Sequence, residues 1–157
     1  MSTTTELLPF DLPLAREAFG TVAQLHADAT RRAADRLTAD DLAELERLTD
    51  ASLAALREGR IADAIDHDTA FHRRFFEVAD DPDLTIAAEL LVPRLRRMDL
   101  WLFTRAAFDP TESSHPAILA ALRAGDAEAA AELVEASFLD AGEQLAAIVE
   151  REPVPRR

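Results

Sequence analysis

Four histidines, 30 acidic residues and no cysteine bound the chemistry open to this chain. Without a thiol there is no disulfide, thiolate nucleophile or Cys-based zinc site, so a metal could rest only on imidazoles and carboxylates. Asp68 and His72 lie four residues apart in a helical stretch. Their side chains project from one face a turn apart, where a carboxylate oxygen and an imidazole nitrogen can reach a common cation. The same spacing also describes an ordinary surface contact between an acid and a histidine. His67 points roughly 100° away around the helix and is expected in solvent or at a helix contact. No Ser lies in a Gly-x-Ser-x-Gly turn, and four glycines cannot build a phosphate cradle or a dinucleotide fingerprint. Asp80 and Asp81 read as a helix terminus, not as a general acid and base.

The charge balance narrows the partners. A formal net charge of -13, with every basic residue an Arg, leaves no lysine-rich face to grip phosphates. Direct nucleic-acid binding by this chain is disfavoured. No signal-like segment or membrane-length apolar run occurs, so a cytoplasmic location is expected and no membrane partner. A length of 157 residues suits one domain, and 48% hydrophobic residues with only 4 Gly point to a filled helical core.

Helical periodicity divides the chain into six segments. After an irregular lead over residues 1–12, Asp11 caps a first helix with Pro13 in its first turn, running to about Ala34 on a stripe of Ala18, Val22, Leu25 and Ala29. Thr38 and Asp41 form a capping box for a second helix, which carries Leu42, Leu45, Leu48, Leu53 and Leu56 and ends at Gly59. A third runs from Ile61 to about Val78. A fourth, from Pro82 to about Ala107, is expected to bend at Pro93. Its stripe of Leu84, Ala88, Leu91, Leu95, Met98 and Leu102 is a core face. The neighbouring stripe mixes Leu90, Arg94, Arg97 and Trp101, whose arginines could line a polar pocket or a partner interface, or could simply cover apolar surface with their stems. Ser113 or Ser114 caps a short fifth helix to Arg123, Asp126 caps a sixth to about Glu150, and residues 152–157 form a disordered tail. Leu53-Ala-Ala-Leu-Arg-Glu-Gly59 matches Leu119-Ala-Ala-Leu-Arg-Ala-Gly125. The match suggests two similar hairpins, although generic Ala/Leu helices with glycine caps would look alike.

Three segments together resemble a known family: Asp68-Thr-Ala-Phe71-His72, Ala79-Asp-Asp-Pro-Asp-Leu84, and the run from His115-Pro-Ala-Ile-Leu to Gly125-Asp126. In this order they are similar to the FadR C-terminal (FCD) domain, the effector-binding and dimerising half of many GntR-type transcription regulators. The resemblance spans roughly residues 14–150 and implies an all-α antiparallel bundle of six or seven helices around a polar pocket, over residues 13–151. It also implies a divalent metal such as zinc or nickel, held in many members by an Asp, the His one turn later, the His before the Gly-Asp pair, and one further His. Those positions here are Asp68, His72, His115 and Ser137. Ser137 is a departure, since a hydroxyl is a poor ligand for such metals, so the expected metal ligands are Asp68, His72 and His115. Arg94 and Arg97 would sit beside the pocket with Ser137 and pair with an organic acid.

The resemblance therefore implies a ligand-sensing and dimerisation domain for a small carboxylate effector, rather than an enzyme. It would act as a homodimer or as a heterodimer with a full-length regulator. Only about 12 residues precede the first helix, so the chain as given is not expected to read an operator. The alternative is a stand-alone protein of this fold recruited as a small metal-dependent enzyme or a metabolite-binding protein.

Overall fold

A computed structural model of the chain describes residues 11–105 and 113–151. The expected lead and tail fall outside these residues, apart from Asp11 and Leu12. Seven α-helices and no strand occur among them: α1 (Leu12–Ala33), α2 (Ala39–Arg57), α3 (Ile61–Ala79), α4 (Pro82–Glu89), α5 (Val92–Arg105), α6 (His115–Arg123) and α7 (Ala127–Arg151). A single 3₁₀ turn, Ala34–Arg36, follows α1. No described helix is long and apolar enough to cross a membrane.

Local chemistry accounts for most helix ends. The Asp11 carboxylate accepts from the Leu14 amide at 3.0 Å, and Asp126 accepts from Ala129 at 2.9 Å. Thr38 and Asp41 satisfy each other's backbone amides reciprocally. Arg74 of α3 also pairs with the buried Asp41, tying the start of α2 to α3. The two matching segments close their helices in the same way. Gly59 and Gly125 adopt φ of 73° and 74°. In each case the glycine amide and the next amide bond back to the last turn, Gly59 to Leu56 and Arg60 to Ala55, Gly125 to Leu122 and Asp126 to Ala121.

Two boundaries differ from expectation. The fourth segment is two helices, not one bent at Pro93. Backbone steric conflict with the proline ring disfavours helical continuation just before it, so the break falls at Leu90–Leu91 and Pro93 enters the first turn of α5. At α6 neither serine side chain makes a standard cap: Ser114 occupies the cap position without such a bond, while Ser113 Oγ accepts from the His115 amide at 3.3 Å. The expected extension of the fourth segment beyond Arg105 to Ala107 lies outside the described residues.

The core has two parts. One gathers Phe71, Phe75 and Phe76 of α3 with Leu45 and Leu48 of α2, Ile118 of α6 and Val134 of α7. The other joins Phe19 and Val22 of α1 to Leu95, Met98 and Leu102 of α5 and Leu145 of α7. The most extensive helix pair is α1 with α7. They run antiparallel, with Arg31 against Glu128 at one end and Arg16 near Glu150 at the other. Their close approach depends on Gly142, where a Cβ would meet Phe19 at 3.1 Å from its own Cβ. Gly142→Val is therefore expected to cost about 1–3 kcal/mol by overpacking, read as a lower urea midpoint with an unchanged m-value.

Candidate metal centre and its cavity

Helix α3 supplies Asp68 and His72 from adjacent turns, and α6 supplies His115 from its first residue. The His115 ring is fixed by stacking on the fully buried Phe71, with centroids 3.8 Å apart and planes 8° apart. His115 Nε2 lies 3.0 Å from Asp68 Oδ1 and His72 Nε2 lies 3.9 Å from it. One ligand atom from each of the three residues falls within 4.8 Å of the others. The structure thus brings together three of the positions implied by the resemblance.

His72 has an unusual environment. Its Nδ1 is buried without a hydrogen-bond partner, and 3.9 Å from Nε2 to the carboxylate is too long for a hydrogen bond. Burial lowers its basicity to a pKa of about 4, against the opposing pull of Asp68. At neutral pH the ring is uncharged and has a lone pair to offer. Burial alone would raise the Asp68 carboxyl, but the His115 hydrogen bond and the neighbouring imidazoles outweigh it and hold Asp68 at about 2. Asp68 is enclosed by the bundle yet open to the cavity, which accounts for a side-chain exposure of 36%. An ionised carboxylate beside a neutral imidazole is the protonation state that a divalent cation requires.

Thr49 of α2 gives His115 a switchable tautomer. The Thr49 hydroxyl donates to the Leu45 carbonyl at 2.9 Å and lies 3.4 Å from His115 Nδ1. Its proton being used on Leu45, Thr49 Oγ is free to accept from Nδ1–H. That tautomer turns the Nε2 lone pair toward Asp68 and His72, as metal-ligating imidazoles require. The opposite tautomer donates Nε2–H to Asp68.

These groups stand where two chambers meet. The first, of about 180 Å³, reaches past His115 to Ser137 and Asp140 of α7; the second, of about 340 Å³, extends to His26 of α1 and to Arg73 and Arg96. Asp68, His72, Asp99 and Phe138 line both. Ser137 lines the first chamber, but its hydroxyl donates to Val134 of its own helix at 2.8 Å. Arg94 and Arg97 are exposed and line neither chamber. The face of α5 that turns Leu95, Met98 and Leu102 inward turns these two arginines outward.

His26 and Asp99 were not singled out by spacing or motif. The His26 ring lies 5.4 Å from His72 and 4.4 Å from Phe138, its Nδ1 is also orphaned, and burial keeps it neutral. Burial, reinforced by Asp68, pushes the Asp99 carboxyl up to about 8. Both carried a usable signal. His26 lies four residues after Val22 and three before Ala29, and Asp99 four after Leu95 and three before Leu102. Each is therefore a polar group on a core stripe.

A family model described as the FCD domain matches residues 17–139. The chain belongs to the FCD domain family. FCD domains are the effector-binding domains of GntR-family regulators. The matched span contains Asp68, His72, His115 and Ser137 and most of both chambers' lining. No curated protein and no solved structure matches the chain.

The Asp99 carboxyl of this FCD domain has a definite linkage sign. An unfolded Asp99 ionises near 3.8 and the folded one near 8, so its contribution to stability is full below 3.8 and is lost as pH rises toward 8. Asp99→Asn should raise the melting temperature more at pH 8 than at pH 5. Equal shifts at the two pH values would contradict the assignment.

Proposed function

We propose that this FCD domain is the sensing element of a GntR-type regulatory system, in which Asp68, His72 and His115 hold a divalent metal beside a small organic acid. The observation that carries the metal assignment is the cluster itself: one ligand atom from each of Asp68, His72 and His115 within 4.8 Å of the others, with a neutral His72 Nε2 that makes no hydrogen bond facing an ionised carboxylate. An unbonded buried imidazole costs stability unless something takes its lone pair. The donor set of two imidazoles and one carboxylate suits zinc or nickel and leaves coordination open, because Ser137 does not supply a fourth imidazole. A bound ion would supply Lewis-acidic positive charge for a carboxylate.

The chain's own residues do the rest. Thr49 accepts from His115 Nδ1–H and so turns the Nε2 lone pair toward the site, and Phe71 fixes the ring plane. Because the ligands sit on α3 and α6 while α5 and α7 close the chambers, an effector that fits one arrangement of these helices better than another shifts their populations by that difference. Coupling to a second copy, or to a full-length regulator, would pass this shift to DNA-bound partners.

Metal analysis after exposure to zinc or nickel and gel filtration tests the assignment. The wild type should retain near one equivalent, and His72→Ala and His115→Ala should lose it while keeping their helical circular dichroism. A wild type that stays metal-free at micromolar zinc would overturn it. Thr49→Val should leave the fold intact and weaken the metal by about 10–100-fold through loss of the Nδ1 acceptor, measured by competition with a chelating dye.

A further inference from the structure

Asp99 poses a question that the metal centre does not answer. Asp99 is half-buried, its carboxyl lines both chambers, and it makes no hydrogen bond or ion pair with any described residue. It lies outside the cluster of mutually close ligand atoms formed by Asp68, His72 and His115. An ionised carboxyl in a chamber wall without a partner is costly, and Asp68 makes it more so by repelling its charge. Arg96, one turn away, offsets this only in part, being paired with Asp66 at 2.5 Å.

The surroundings of Asp99 specify what would relieve this. The titratable groups in the first chamber are Asp68, Asp99, Asp140 and two histidines, with no arginine among the described lining residues. The hydroxyls of Ser113 and Ser114 add hydrogen-bond acceptors, and Phe103 and Phe138 add aromatic surface. Carboxylate, hydroxyl and phenyl together form the set that recognises an organic ammonium: an opposite charge, acceptors for its three N–H bonds, and ring faces that attract a cation. An organic anion directed into this chamber would instead meet three acids.

We propose that the effector carries an ammonium group that docks against Asp99 in the first chamber. Combined with the carboxylate expected at the triad, this makes the ligand class amino acids and related zwitterions rather than hydroxy or keto acids. The proposal rests on reading the cavity as an effector site, and does not require the metal.

Isothermal titration of the full chain, zinc-loaded and chelator-treated, with matched pairs tests it: L-alanine against L-lactate, L-aspartate against L-malate, L-glutamate against 2-hydroxyglutarate. In at least one pair the amino acid should bind about tenfold or more tightly than its hydroxy analogue. Asp99→Asn should bring that ratio to within about threefold without changing zinc uptake, and Asp99→Glu, which keeps the charge, should preserve the preference. Hydroxy acids binding as tightly in every pair would overturn the proposal and identify Asp99 as a neutral proton donor to an acid. So would a preference untouched by Asp99→Asn, or no binding by any of the amino acids at about 10 mM. An amino-acid preference that persists in protein unable to take up zinc supports the proposal and removes only the metal reading.

Discussion

An ionised carboxylate enclosed in a helical bundle has to be compensated, and the arrangement around Asp68 is the form the compensation takes. In low dielectric an isolated carboxylate would take up a proton. Asp68 stays ionised because His115 bonds to it directly and His72 and His26 stand nearby. This requirement dictates much else. His115 must be held in place, so the first turn of α6 is pressed on Phe71, and α2 has to supply Thr49 behind the ring. The polar centre thus joins α2, α3 and α6 at their buried side, in addition to the Arg74–Asp41 and Arg123–Glu46 pairs that link them nearer the surface.

The same centre explains why the two core clusters are separate. One gathers α2, α3 and α6 with the end of α1 and the start of α7, the other joins the first half of α1 to α5 and the later part of α7, with Phe138 packed against both and lining both chambers. A continuous apolar core would leave no room for a ligand. Here the bundle keeps its stability in two lobes and its chemistry in the seam between them.

How far this was legible in the sequence differs by level. Helix starts and ends were readable because they depend on residues within a few positions: Asp11, the Thr38–Asp41 box, the glycines at 59 and 125. The break before α5 was misplaced because a proline's effect falls on the residue preceding it as well as on the helix that contains it. Asp68 and His72 were readable as a pair from their spacing, but His115 came only from the family resemblance, since nothing local links α3 to α6. Arg94 and Arg97 were attractive for their charge, and the turn of α5 directs them to solvent. His26 and Asp99 were missed for the opposite reason. Their neighbours look like ordinary core, and a polar residue on an apolar stripe gains meaning only once the partner helices are known.

The Gly142 contact also fixes which walls of the cavity can move. Phe19, which lines the first chamber, is backed directly by the α7 backbone at Gly142, without an intervening side chain to yield. Helices α1 and α7 therefore act as a stiff anvil on that side. Helix α5 follows a break at Leu90–Leu91 and α6 has only nine residues, so shorter helices build much of the remaining wall. An arriving ligand therefore meets one wall, Phe19 on Gly142, that cannot repack without displacing a helix backbone.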